Sequence, residues 1–228
     1  MPTATDTPEP TSTFTATPTN TRSPTPNRTA TAQVLATKQA QSMAELVQSL
    51  YGDGYVSSTE GLFYRLPDFQ ESLAKIDYIR RYPTGNFLSD FVIRADLAWA
   101  TAREGANIKY SGCGFYWGVS EDSVNFYIAI FSLDGNVRVH IKKDTSKYLS
   151  SAGSGYYGSI DYMQGNAKIM LVVDNGSIQF FVNGKRVYNR DNQYELEGYL
   201  YFAISSGINT GFGTCCSFSN VELWDMNP

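Results

Sequence analysis

The sequence has one histidine, His140, and three cysteines in 228 residues, and its apolar runs fall far short of the roughly 18 residues a membrane-spanning helix needs. A single histidine excludes a three-His zinc centre. With no Gly-x-Ser-x-Gly segment, Ser-His-Asp chemistry lacks support as well. The N-terminus carries neither the basic nor the apolar region of a signal peptide. Lys and Arg number 18 against 22 Asp and Glu. They are scattered rather than clustered, so there is no electrostatic footprint for a phosphate backbone, and nucleic acid is not an expected partner.

What is present is β-type composition. Sixteen Tyr, thirteen Phe and three Trp suit pleated surfaces on which rings pack across strands. Residues 1–32 differ: twelve Thr and six Pro with almost no large apolar side chains cannot bury enough surface to offset the entropy of ordering. They are expected to be a disordered Thr/Pro-rich stalk. A chain that opens directly into such sequence is expected to be a fragment, tethered to a surface through a segment outside it.

From Ala30 to Leu50 the residues become Ala, Gln, Leu, Lys and Met. Val34, Leu35, Met43, Leu46, Val47 and Leu50 recur at three- and four-residue spacing, which predicts one helix of about five turns, a spacer over 33–51. Gly52-Asp53-Gly54 ends it. Beyond, the period becomes two. Phe91, Ile93, Ala95, Leu97 and Trp99 alternate with Arg94 and Asp96, a half-buried strand. Asp134-Gly135, Asn175-Gly176 and Asn183-Gly184 are tight hairpin turns. With the runs Cys113–Val119, Tyr199–Ser205 and Phe218–Trp224, about nine or ten short strands result. The fold class is all-β, an antiparallel two-sheet sandwich over residues 60–228.

One order of residues is specific. An aromatic strand, Asn125-Phe126-Tyr127-Ile128, leads to Asp134-Gly135. Asn166 then opens a hairpin containing Phe181-Val182-Asn183-Gly184, and the chain closes on Phe218-Ser219-Asn220-Val221-Glu222-Leu223-Trp224. This order resembles the concanavalin A-like lectin/glucanase superfamily, in particular the laminin G-like jelly rolls of bacterial surface proteins. The resemblance covers about residues 60–226. It implies a jelly-roll sandwich on the cell surface of a bacterium.

The glucanases of that superfamily carry Glu-x-Asp-x-x-Glu on one strand, and no such segment exists here. Glu195 and Glu197 would share a strand face about 7 Å apart, a separation glycosidases use. Between Asn192-Gln193 and Gly198 they read instead as a solvated loop. His140 shares the polar face of its strand with Arg138 and Lys142, a surface role. Lectins of this class stack sugar faces on aromatic rings. Tyr148, Tyr156, Tyr157 and Tyr162 in the Ser/Gly-rich stretch Ser146–Gly165 are the candidate carbohydrate-binding residues, the bland alternative being that they cover sheet edges. Trp99, Trp117 and Trp224 sit in alternating patterns that predict core burial. Some jelly rolls bind Ca²⁺ at the rim. Asp122, Asp134, Asn136, Asp161 and Asp225 are possible donors, but none has the spacing of a calcium loop, so no cofactor is expected.

Cysteines at strand edges of an exported domain favour a disulfide. The residues alone leave open whether Cys113 pairs with Cys215 or Cys216. The resemblance, in which a basic residue and then Cys follow Gly-Thr, implies Cys113–Cys216 with Cys215 free. Together these readings lead to a non-catalytic extracellular recognition module whose partner is a glycan. The alternative is a structural or protein-interaction ectodomain that packs against a neighbouring domain, and a glycoside-active enzyme ranks last.

Overall fold

A computed structural model describes residues 1, 28–102, 107–119, 125–143, 146, 148–191, 193–194 and 197–227. Most of the expected stalk lies outside these residues. Its end is corrected, because residues 28–32 open a helix, α1 (Arg28–Gly52). Pro26 is the last proline before Pro67, so none falls within the helix to interrupt its hydrogen bonding. The helix is 25 residues long, about seven turns. Met43, Val47 and Leu50 lie on one stripe of it and are buried.

Thirteen strands follow among the described residues, more than the sequence pattern suggests. The first sheet contains β1 (Leu62–Arg65), β2 (Phe69–Leu73), β4 (Phe91–Thr101), β9 (Gln164–Asp174), β10 (Ser177–Val182), β11 (Lys185–Arg190) and β13 (Thr214–Asp225). Its order is β1-β13-β4-β9-β10-β11, with β2 also paired to β13. The second contains β3 (Tyr78–Leu88), β5 (Gly112–Val119), β6 (Phe126–Ser132), β7 (Asn136–Lys142), β8 (Ser150–Tyr156) and β12 (Gly198–Ser206). It runs β3-β12-β5-β6-β7-β8. All pairs are antiparallel. The all-β two-sheet jelly roll is the observed fold.

Alternation sets the core. Phe91, Ile93, Ala95, Leu97 and Trp99 face the second sheet, whose Phe115, Trp117, Tyr127 and Phe131 face back. Trp99 meets Phe131 edge-on at 5.7 Å, and Phe91 meets Trp117 at 6.3 Å, geometry that suits the ring quadrupoles. Cys113 and Cys216 are joined by a disulfide across this core. The other face of the first sheet is covered by α1, whose Met43, Val47 and Leu50 pack with Val92, Val172, Phe181 and Met226. Arg94 Nη2 also donates to Ser42 Oγ at 3.0 Å.

The Asn-Gly turns are type I′, with both central residues at positive φ: 45° and 72° at Asn175-Gly176, 50° and 78° at Asn183-Gly184. Core burial of Trp224 is not observed. The β13 register shifts between Ser219 and Glu222, with Asn220 at φ 50°. This bulge inverts the parity of the strand end: Val221 and Leu223 turn inward, while Trp224 is half-buried at the edge of the α1 cluster.

Candidate functional site

The outer face of the second sheet is not covered by α1. The strand register places side chains there in rows, Ile79–Ser205–Gly112–Ser132 and Arg81–Ala203–Gly114–Ile130–Arg138–Ser154. The floor is low because its middle is Gly112, Gly114 and Ala203. At Gly114 an added Cβ would collide with the Ala129 carbonyl oxygen, so the depression is built into the backbone. The result is a groove of about 570 Å³ lined by Ile79, Tyr110, Ile130, Arg138, His140 and Ser154, among others.

One wall is β7. Arg138 Nη1 donates to Asp134 Oδ1 at 2.8 Å and its Nη2 to Oδ2 at 2.5 Å, and the Asn136 N–H donates to the same carboxylate at 3.2 Å. Burial pushes the Asp134 pKa up, but these hydrogen bonds outweigh it and hold the carboxyl below its ordinary range. The same pairing raises Arg138 further. His140 alternates with Arg138 on this wall and is half-buried. Desolvation, then the Arg138 charge, lowers its pKa, so it is neutral at pH 7.

The opposite wall is the short 3-10 turn Ile108–Tyr110. Tyr110 is 45% exposed, and its backbone is pinned by Ser205 Oγ, which donates to the Tyr110 carbonyl at 2.6 Å. Lys109 Nζ lies 4.7 Å from that ring. Beside the groove, Tyr116 stacks on Phe126 at 4.4 Å and meets Tyr201 edge-on at 5.8 Å. The Arg81 guanidinium sits over both tyrosines, 5.3 and 5.1 Å from their centroids, and donates to Tyr116 Oη at 3.2 Å. Burial drives the Tyr116 pKa up to about 12 although Arg81 opposes it, so the hydroxyl stays a neutral hydrogen-bonding group.

The four tyrosines of the Ser/Gly-rich stretch divide into two pairs. That stretch is not one loop: Ser150–Tyr156 is strand β8, bordering the groove. Tyr156 is 58% exposed and pairs with Asn136 as Ser154 pairs with Arg138, which puts it on the groove face. Tyr148 is 72% exposed and immediately precedes Leu149 of the groove lining. Tyr157 and Tyr162 turn toward the core. Tyr157 meets Phe131 edge-on at 5.9 Å, and its Oη accepts from Asn183 Nδ2 at 2.9 Å.

Glu195 and Asp122 lie outside the described residues. Asp134 is engaged by Arg138, Asp161 Oδ1 accepts from the Met163 N–H, and Asp225 Oδ1 accepts from the Asn227 N–H. Among the described residues no three His, Cys, Asp or Glu gather as metal ligands. Cys215 is a half-buried thiol on β13. No helix among the described residues is long and apolar enough to cross a membrane. Sequence reasoning passed over Tyr110, Arg81 and the Asp134–Arg138 pair. Only the last had a local signal, an acid and a base flanking a hairpin turn.

No family model matches the chain, and no curated protein matches it. Among solved structures it is similar to the carbohydrate-binding module CBM66 from Bacillus subtilis, at 14% identity and TM-score 0.49 over 70% of this chain and 94% of that one. It is also similar to the Bacillus licheniformis beta-glucanase, at 11% identity and TM-score 0.47 over 69% and 78% of the two chains. A fructosyltransferase from A. japonicus gives 15% identity and TM-score 0.46 over 73% of this chain and 26% of that one. The architecture is a two-sheet antiparallel β-sandwich.

Proposed function

We propose that this chain is a non-catalytic carbohydrate-recognition module, displayed outside a bacterial cell on its Thr/Pro-rich segment, with the groove of the second sheet as its site. The observation that carries this reading is the groove itself: Tyr110 exposed in its lining, hydroxyl, imidazole and guanidinium groups from Ser132, Ser154, His140 and Arg138, and, placed on the same sheet face by strand register, a low Gly/Ala floor and exposed Tyr156. Rings present apolar faces for pyranose C–H groups, and the polar side chains meet sugar hydroxyls. Tyr148 extends the aromatic rim. Tyr157 and Tyr162 support the strand behind it.

Glycoside hydrolysis uses two carboxyl groups across the scissile bond. Among the described residues that line the groove, the only carboxylate is Asp77, and Asp134 beside it is clamped by Arg138. Recognition without cleavage is the reading these residues support. A disulfide buried in the core fits an oxidising, extracytoplasmic setting.

The test is a glycan array probed with the full chain and with Tyr110→Ala/Tyr156→Ala. The expected result is binding by the parent chain that the double variant loses, with the unfolding midpoint nearly unchanged. Identical array profiles for both proteins would overturn the assignment of the site.

A further inference from the structure

Resting on that reading, we infer that the groove is built for an anionic polysaccharide, one bearing carboxylate or sulfate groups, rather than a neutral glycan. The chain as a whole has a net charge of -4, yet the groove face has the opposite sign. Lys109 of the 3-10 turn and Arg138 of β7 line the groove, and Arg81 of β3 and Lys142 of β7 flank it on the same sheet face, against Asp77 and Asp134 among the described residues. Asp134 is already matched by Arg138. Arg81, Lys109 and Lys142 have no carboxylate within ion-pair distance among the described residues; their contacts are the Tyr116 and Tyr201 rings, the Tyr110 ring, and the Lys143 carbonyl respectively. His140, also in the lining, is neutral at pH 7.

The geometry suits a chain rather than a single charged sugar. β3 and β7 are four strand spacings apart in the sheet, about 19 Å. Arg81 is exposed and fixed over two rings, with one of its N–H donors on Tyr116 Oη. The rest of its planar fork remains available, and that fork matches an oxyanion bidentately. A polymer lying along the low Gly/Ala floor would set repeated anions near Arg81 and Lys109 at one wall and near Lys142 at the other. The neutral rings between them would stack on its sugar faces.

Retention of the full chain in native affinity gels tests this with polygalacturonate, a sulfated galactan, a neutral galactan and single-stranded DNA, at about 20 mM and about 300 mM salt. Arg81→Gln and Lys109→Gln are run beside the parent. The expected result is retention by one or both anionic glycans about tenfold stronger than by the neutral galactan. It should fall about tenfold at the higher salt, and weaken severalfold in each variant. Retention by polygalacturonate alone assigns carboxylate, by the sulfated polymer alone sulfate, and by both assigns charge of either kind. Salt-independent retention by the neutral galactan, equal in parent and variants, would overturn the inference while leaving glycan recognition standing. Equal retention by DNA would overturn it by showing charge attraction without sugar recognition. No retention by any glycan, together with a blank array, would overturn both.

Discussion

Cys113 on β5 and Cys216 on β13 are bonded across the core, one from each sheet, with their Cα atoms 5.9 Å apart and both side chains fully buried. The bond closes a loop spanning 103 residues of sequence separation and so restricts the unfolded chain strongly. Cys113→Ala/Cys216→Ala is expected to lose about 2–5 kcal/mol of stability, read as a lower denaturant midpoint under oxidising conditions. Under reducing conditions the parent should approach the variant. Peptide mapping that finds the Cys113 and Cys216 thiols free would contradict the pairing.

Trp99 and the tyrosines separate fold from site. Trp99 is buried, donates its Nε1–H to the Asp161 carbonyl at 2.8 Å and packs on Phe131. Trp99→Ala is expected to cost about 3–5 kcal/mol. Tyr157→Ala, which removes both a ring contact and the acceptor for Asn183, should cost about 1–3 kcal/mol. Tyr156→Ala should shift stability by about 0.5 kcal/mol or less. Urea titrations rank the three, and a Tyr156→Ala loss as large as that of Tyr157→Ala would place its ring in the core.

Much of the fold was legible because local chemistry and tertiary structure agree. The β4 alternation predicts its buried face residue by residue, and the two Asn-Gly turns demand positive φ that only such residues adopt readily. Two of the missed strands, β3 and β8, lie at the two edges of the second sheet. β3 carries Pro83 and Gly85 and lies at a sheet edge, where a missing N–H is tolerated. β8 is Ser/Gly-rich, exposed on much of its length and takes its pairing from β7, so no alternation of its own reveals it. Trp224 was misplaced because a bulge, invisible in an apolar pattern, inverts the end of β13. The groove is harder to read still: Tyr110, Arg81 and Ser154 lie far apart in sequence and meet only through strand order.

The Arg138–Asp134 pair makes an acid prediction. Both side chains are half-buried, and the Asp134 pKa is lower folded than unfolded. Its contribution is therefore present above the ordinary carboxylate range and lost as pH falls through the folded value. Arg138→Ala should lower stability by about 1–3 kcal/mol at pH 7 and flatten the loss below about pH 4. Parallel acid-unfolding curves for parent and variant would contradict the pairing.

His140 gives a second pH dependence of its own. Burial and Arg138 lower its pKa in the folded state, so just below the ordinary histidine value the unfolded chain binds more protons than the folded one. Its contribution to stability is full above about pH 6.5 and falls as pH drops from there toward the folded value. Replacement by glutamine, His140→Gln, should flatten the fall in thermal midpoint between about pH 7.5 and about pH 5.5. An unchanged slope would remove His140 as its source.

The central claim, that the open face of the second sheet is a glycan site, is tested most directly by two-dimensional NMR. The full chain would be titrated with an oligosaccharide cut from the strongest array hit. Saturable shifts should concentrate on Tyr110, Ile130, Ser132, His140, Ser151 and Ser154, leaving Met43 and Val47 of α1 and Val172 beneath it unmoved. Shifts gathered instead on the first sheet around α1, or no saturable shift at any sugar concentration, would contradict it.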